Sequence, residues 1–245
     1  MLKDLTKKNA SAVALSPADR EFADLAWAPT ADRNVIAMDE VSRDDQGFVT
    51  DTDLCFGDVK SDGMEISCLK EPSFAATRHL HWAPDGRSLL GVGLKTPLGQ
   101  TGIFGMVRWK VKKDKPAFST DTADWNKGRF VTDIDKPDKG VLDAEVSPDG
   151  KRLALVSNLG SGAFRLWLAD DPEDFALSSA KQTAVRACKV TWRGDSKELL
   201  VVQGDELCKE DVAVITRVPA NDVRNQKELN PSGDDPSYQP LTIGS

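Results

Sequence analysis

Cysteine is the most informative of the residues that could do chemistry in this sequence. Its four cysteines contain no CxxC pair and lie at Cys55, Cys68, Cys188 and Cys208. If residues 60–63 form a hairpin loop, Cys55 and Cys68 lie opposite each other on adjacent antiparallel strands, close enough for a disulfide. Cys188 and Cys208 are expected at the same end of one sheet. We predict two disulfides; the alternative is four buried free thiols in a cytosolic protein.

The sequence contains only two histidines, which form an HxH pair at His79 and His81. On a regular strand they would share one face and could bind a metal, but no third ligand recurs nearby and Trp82 marks the strand as core. Residues 133–140 resemble part of a calcium loop, yet the terminal glutamate is missing. Residues 160–162 predict a hairpin, because no helix follows to receive a phosphate. We expect structural histidines, no metal and no cofactor.

Catalytic motifs are absent from the chain. It has no GxSxG, HExxH or Walker sequence, and an imidazole base would have to come from His79 or His81. A pair of carboxylates remains the only obvious route to acid–base chemistry. We therefore expect the isolated chain not to be an enzyme.

The composition and net charge of the chain limit the classes of partner that it could bind. The 245 residues include 32 basic and 39 acidic side chains, giving a net charge of -7, which argues against nucleic acid or an anionic membrane surface. No apolar run approaches the roughly 18 residues that a membrane span needs, and the first residues lack the apolar region of a signal peptide. We expect either a cytosolic protein or a piece of a longer one.

An internal repeat organises the chain. A strand, a turn and a second apolar strand recur four times, anchored at Trp27, Trp82, Val146 and Trp192, which lie 55, 64 and 46 residues apart. The turns carry Pro, Asp and Gly, which favour tight reversals. A third strand follows in each copy. More polar fourth strands are predicted near residues 65–69, 129–134, 175–179 and 227–230. Polar inserts at residues 42–50 and 110–127 are expected to be loops.

Tandem four-stranded antiparallel units are typical of a β-propeller, in which each sheet is a blade packed against its neighbours. We predict one all-β domain over residues 1–245 with four blades and a partial fifth copy near Tyr238. Residues 2–6 have the form of a fourth strand without a blade before it. The two termini would then meet in one split blade.

Two of the repeats carry a family resemblance. Residues 82–89 (WAPDGRSL) and 146–154 (VSPDGKRLA) resemble the W-S-P-D-G-K-x-I-A repeat of TolB-like propellers. The resemblance implies an extracytoplasmic location. It also implies a non-enzymatic binding or sensor module, part of a longer protein, such as the extracellular domain of a bacterial serine/threonine kinase. The alternatives are an accessory or gating propeller of a serine peptidase or hydrolase, and a cytosolic protein-interaction scaffold.

Ligand contacts are predicted on one end of the propeller. That end is built by the loops that enter first strands and those that join second to third strands. Mixed polarity around the channel mouth suits a peptide or a small polar ligand; the candidate residues are Arg78, His79, Asp143, Arg186 and Asp205. The alternative is that these are merely solvated rim residues. We expect a protein or peptide partner and a monomer.

Overall fold

A computed structural model describes residues 19–30, 34–60, 63–69, 76–94, 104–131, 140–158, 162–170, 172, 180–204, 208 and 214–230. Within these ranges the chain forms sixteen strands in four antiparallel sheets of four strands each, with one 3₁₀ turn at Thr122–Asp124. The all-β blade architecture predicted from the repeats is confirmed. The predictions for residues 2–6, 133–139, Asp205 and Tyr238 concern residues outside the described ranges.

Each sheet is one blade, and its strands lie side by side in chain order. Blade 1 contains β1 (Glu21–Trp27), β2 (Val35–Arg43), β3 (Val49–Lys60) and β4 (Gly63–Leu69). Blade 2 contains β5 (Ala76–Trp82), β6 (Ser88–Leu94), β7 (Phe104–Lys110) and β8 (Arg129–Phe130). Blade 3 contains β9 (Val141–Val146), β10 (Leu153–Ser157), β11 (Arg165–Ala169) and β12 (Lys181–Arg186). Blade 4 contains β13 (Lys189–Trp192), β14 (Glu198–Gln203), β15 (Val214–Pro219) and β16 (Lys227–Asn230).

The reversal between first and second strands follows the repeat motif. The Gly86 amide donates to the Ala83 carbonyl at 2.9 Å, and the Gly150 amide donates to the Ser147 carbonyl at 2.8 Å. Both glycines have positive backbone φ angles, +65° and +72°, which residues with a side chain adopt only with strain. In blade 4 Ser196 takes the same place with φ 59°. The Pro-Asp-Gly motif is therefore a turn motif.

Three strand predictions need correction. The insert at residues 42–50 mostly lengthens the β2–β3 hairpin, because β2 continues to Arg43 and β3 begins at Val49. The outer strand of blade 3 is Lys181–Arg186 rather than residues 175–179, which lie outside the described ranges. In blade 2, β8 ends at Phe130 and Val131 lies outside it, whereas the predicted strand covers 129–134; residues 132–134 lie outside the described ranges. Polar outer strands carry weak patterns, so the sequence locates them poorly.

The charged insert at residues 110–127 also departs from its prediction as a loop. It folds back over the junction of blades 1 and 2, and Trp125 enters the core there. The Trp125 ring stacks on Phe56 with centroids 4.6 Å apart, and Phe118 packs against Trp82 at 5.4 Å. Two aromatic side chains thus hold a polar and largely exposed segment against the core.

Neighbouring blades pack through three apolar cores and through their innermost strands, β1, β5, β9 and β13. We call the last residue of each inner strand its anchor. The anchor Trp82 donates its indole N–H to the Ala26 carbonyl of blade 1 at 3.0 Å. Trp192 donates in the same way to the Glu145 carbonyl of blade 3 at 3.0 Å. In both cases the acceptor precedes the anchor of the preceding blade.

Candidate functional site

Ionisable side chains gather where the inner strands of blades 2 and 3 meet. β5 supplies Arg78, His79 and His81, and β9 supplies Asp143 and Glu145. We call these five residues the inner-strand cluster. Because β5 and β9 pack side by side, the cluster sits along the axis of the propeller rather than on its outer rim.

Backbone irregularities place parts of this cluster. The β5–β6 register shifts between Arg78 and His81, and His79 has φ 56°. The equivalent position of blade 1, Asp24, has φ 47° within a second register shift. Such bulges re-aim side chains and are over-represented next to functional sites. The bulge also breaks the regular alternation that the sequence prediction assumed for His79 and His81.

His81 is the electrostatic centre of the cluster. Its Nε2 lies 3.4 Å from Oδ1 of Asp143, and the imidazole keeps 27% of its surface exposed. Burial alone would lower the pKa of His81, but the Glu145 charge and the hydrogen bond and charge of Asp143 outweigh it and raise the pKa to about 9. His81 is therefore protonated at neutral pH. Sequence reasoning noted His81 as a core histidine but missed this charge, because the carboxylates come from another blade.

Asp143 makes structural contacts at this place, and its predicted role as a ligand contact at the channel mouth stays a prediction. The residue is only 3% exposed. Its oxygens accept from the backbone amides of Ala144 and, across the blade junction, Val190, each at 2.9 Å. Burial would raise the pKa of Asp143, but the hydrogen bond from His81 and nearby positive charge hold it below its usual value. It thus joins blades 3 and 4.

Glu145 has a similar bridging role. Its Oε2 accepts from the Trp192 amide at 3.1 Å, while burial raises the pKa of Glu145. Like Asp143, this carboxylate satisfies an amide of β13 that no neighbouring strand reaches on that side. Apart from the two acidic residues that alternate along β9, no sequence pattern predicts this contact.

Arg78 and His79 are the predicted residues that remain half-buried at the cluster. The Arg78 guanidinium lies 3.9 Å from the centroid of the Phe104 ring, a cation–π contact. Burial lowers the pKa of Arg78, opposed by the charges of Asp24 and Asp143. Burial also lowers the pKa of His79. Mixed polar groups with partial exposure therefore occur here, and their contact with a ligand stays a prediction.

Arg186 does not belong to the cluster. It ends β12, the outermost strand of blade 3, and pairs with Arg165 of β11. Two strands separate β12 from β9, which carries Asp143. The sequence placed Arg186 in a loop entering blade 4 because it located the preceding outer strand too early.

Both predicted disulfides are present. Cys55 and Cys68 are bonded across β3 and β4, where the register pairs them directly, and Cys188 is bonded to Cys208. The β3–β4 pairing runs on to Lys60 and Gly63, so the hairpin loop is shorter than predicted. The Arg20 guanidinium covers the first bridge, with Nη2 2.9 Å from Cys68 Sγ and an ion pair to Glu40.

Potential metal ligands cluster at one place in the described part of the chain, where Glu40 approaches Cys55 and Cys68. Both sulfurs are oxidised in the disulfide, so they offer no thiolate ligand. Among the residues that the structure describes, neither His79 nor His81 belongs to such a group of three. Among the described residues, no helix is long and apolar enough to cross a membrane.

Comparison with known proteins gives structural matches alone. No family model matches the sequence. No curated protein matches it either. The chain is similar to TolB from Acinetobacter baumannii, with 18% identity and a TM-score of 0.55 over 89% of this chain and 45% of that one. A TolB structure from Agrobacterium tumefaciens matches with 14% identity and a TM-score of 0.60 over 89% of this chain and 68% of that one.

Peptidase structures contain a similar unit. A puromycin-hydrolyzing peptidase from Mycobacterium tuberculosis matches with 14% identity and a TM-score of 0.57, over 91% of this chain but 31% of that chain. The chain spans less than half of the Acinetobacter protein and about a third of the peptidase. At these identities the likeness concerns architecture. The chain has the blade-based β-propeller fold found in TolB structures.

Proposed function

We propose that this chain is an extracytoplasmic, non-enzymatic binding module that uses the inner-strand cluster to contact a peptide or a small polar ligand. The observation that carries the proposal is the pair of bulges at Asp24 and His79. They occupy equivalent positions of neighbouring blades and border a half-buried group of mixed charge. Positive φ at a non-glycine residue costs about 1–3 kcal/mol, a cost often found at ligand sites.

The ionisation of the cluster supports binding over catalysis. A protonated His81 cannot accept a proton at neutral pH, so it is a poor general base there. All four cysteines are in disulfides and supply no nucleophile. A cationic His81 beside half-buried Arg78 and His79 offers hydrogen-bond donors of the kind that orient peptide carbonyls or a carboxylate.

The two disulfides support a location outside the reducing cytoplasm. One version of this proposal is that the chain is a receptor ectodomain, such as that of a bacterial kinase, which senses the ligand that it binds. The structural match to a peptidase favours a second candidate, an accessory propeller that accompanies a hydrolase domain. A GxSxG hydrolase domain encoded in the same longer polypeptide would select the second candidate.

The test compares two variants on a peptide array. His79→Asn keeps a residue that tolerates positive φ while removing the imidazole. Arg186→Gln changes a polar residue at the outer strand. We expect His79→Asn to weaken peptide binding about 10-fold, which corresponds to the loss of one hydrogen bond, and Arg186→Gln to leave it unchanged. Equal binding by both variants, or turnover in a hydrolase panel that depends on one acidic residue, would contradict the proposal.

A further inference from the structure

One arginine of the inner-strand cluster lacks the acceptors that its position calls for. Arg78 is half-buried, and its Nε atom is shielded from solvent without a hydrogen-bond partner. Within the described ranges its guanidinium makes neither a hydrogen bond nor an ion pair. Burying a donor without an acceptor is costly, so nearly all buried polar groups in folded proteins have a partner. Arg78 departs from that rule at the site to which we assign binding.

The Phe104 ring holds the guanidinium in place. Cζ of Arg78 lies 3.9 Å from the ring centroid, and Phe104 packs against the core between blades 2 and 3. Arg78 also lies opposite Val92 in the strand register, and Val92 belongs to the same core. Its side chain is therefore held at the junction of these two blades. The cation–π contact supplies no oxygen acceptor, so the N–H groups stay available to a ligand.

The carboxylates of the cluster are already committed to other partners. Asp143 accepts from a β13 amide at 2.9 Å and pairs with His81, and Glu145 accepts from another β13 amide at 3.1 Å. Asp24 influences Arg78 through its charge, but no ion pair joins the two side chains in the described structure. An acceptor for the guanidinium therefore has to come from a ligand.

The same acidic residues limit the charge of that ligand. Asp24 and Asp143 attract Arg78, and they repel any anion that approaches it. This repulsion grows with the charge of the ligand, so a singly charged carboxylate is favoured over a phosphate dianion. The planar fork of a guanidinium also matches the two oxygens of a carboxylate. Charge and shape thus favour the same chemical group.

His79 adds a second donor beside Arg78. It lies in the bulge, with φ 56°, where the register shifts between Arg78 and His81. Burial lowers the pKa of His79, so its imidazole is neutral at pH 7 and carries one N–H donor. Consecutive side chains of a regular strand point to opposite faces, but a bulge removes this constraint. Both residues can therefore approach one ligand.

We propose that the inner-strand cluster recognises a carboxylate group of its ligand, with Arg78 as the bidentate partner and His79 as a second donor. This inference rests on the proposed function and deepens it by naming the group that is bound. The carboxylate can belong to the C-terminus of a peptide or to a small organic acid. The chemistry at Arg78 is the same for both sources.

Two arrays of identical peptides test the proposal, one with free C-terminal carboxylates and one with C-terminal carboxamides. We expect the wild-type chain to bind the best carboxylate peptides at least about 10-fold more tightly than their carboxamides, because the charge-assisted bonds are lost. Calorimetric titration with lactate represents the small acids. Tighter binding of lactate assigns the small-acid source, and tighter binding of the best peptide assigns the peptide C-terminus.

Variants of Arg78 connect this preference to the residue. Arg78→Gln should weaken carboxylate binding about 100-fold, because two hydrogen bonds worth about a factor of ten each are lost. It should also bring the ratio of carboxylate to carboxamide binding close to one. Arg78→Lys keeps the charge without the fork and should lose about 10-fold. The matched control is Arg87→Gln, which removes an exposed arginine beside the β5–β6 turn and should change binding less than about twofold.

The outcomes separate this inference from the proposed function. Peptides that bind equally well as carboxylates and carboxamides, or equal weakening by Arg78→Gln and Arg87→Gln, would overturn the carboxylate site and leave peptide binding intact. Absence of binding by every peptide and by lactate would overturn both.

Discussion

Trp82 and Trp27 occupy the same anchor position in neighbouring blades, yet their surroundings are opposite. Trp82 is 6% exposed, contacts Phe56, Phe118 and Trp125, and donates its indole N–H to blade 1. Trp27 is 46% exposed, and its indole has no hydrogen-bond partner in the described part of the chain. An anchor tryptophan therefore gains its indole hydrogen bond from the blade that precedes it, while Trp82 packs on Phe56 of that blade and on Phe118 and Trp125 of its own blade.

The junction between blades 2 and 3 shows a different solution. Its anchor is Val146, which has no indole N–H to donate. The ion pair of His81 with Asp143 spans this junction instead. The junctions of blades 1 with 2 and 3 with 4 thus contain an indole hydrogen bond, whereas the junction of blades 2 with 3 contains a buried ion pair. The junctions should therefore respond differently to mutation and to pH.

The largest expected effect separates the two tryptophans. Trp82→Ala should lower the free energy of unfolding by about 3–5 kcal/mol, because it leaves a cavity in the aromatic core between blades 1 and 2. Trp27→Ala should cost less than about 1 kcal/mol, since the ring is already half exposed. Urea unfolding of both variants measures the difference. A similar loss of unfolding free energy in both variants would contradict the proposed difference between the two tryptophans.

A second pair tests the turns that follow the anchors. Gly86→Ala should cost about 2–4 kcal/mol, because an added Cβ would lie 2.3 Å from the Phe118 ring at a positive φ. Gly150→Ala meets nothing within 4 Å and should cost only about 1 kcal/mol for its φ. Thermal unfolding of the two variants provides the measurement. Equal shifts would show that the insert carrying Phe118 does not pack on this turn.

The ionic junction should make stability depend on pH. The folded pKa of His81, about 9, lies above its unfolded value of 6.5, so its contribution is complete below about pH 6.5 and is lost as pH rises through 9. Over that range the wild type should lose about 3 kcal/mol more than His81→Gln. Unfolding curves at pH 6, 7.5 and 9.5 test this. If the free energies of unfolding of the two proteins changed in parallel with pH, His81 would not be the cause of the pH dependence.

The smallest expected effect isolates the indole hydrogen bond. Trp192→Phe keeps most of the ring but loses the donor to the Glu145 carbonyl, and should cost about 1–2 kcal/mol. Trp27→Phe removes no such bond and should be neutral within about 0.5 kcal/mol. Urea midpoints with unchanged slopes would confirm both values. A neutral Trp192→Phe would mean that the anchor acts through packing alone.

Local patterns predicted much of this molecule. The Pro-Asp-Gly turns, the apolar second strands and the Cys55–Cys68 pairing all depend on residues close in sequence, and all are observed. The pairing of residues across a short hairpin can be predicted from the position of its loop alone. Outer strands were predicted less well because their weakly alternating, polar residues carry little information about which segment pairs.

The functional groups were harder to predict because they depend on contacts between blades. The charge of His81 is set by two carboxylates more than sixty residues away. The bulge at His79 overrides the strand alternation that the HxH spacing implied.

The direction of the indole hydrogen bonds has a consequence for biosynthesis. Trp82 and Trp192 each donate to a blade earlier in the chain, never to one that follows among the described pairs. A blade leaving the ribosome therefore meets an acceptor that has already been synthesised and can dock at once. We therefore expect vectorial assembly, in which each completed blade serves as the template for the next and limits the time that its apolar face spends in water.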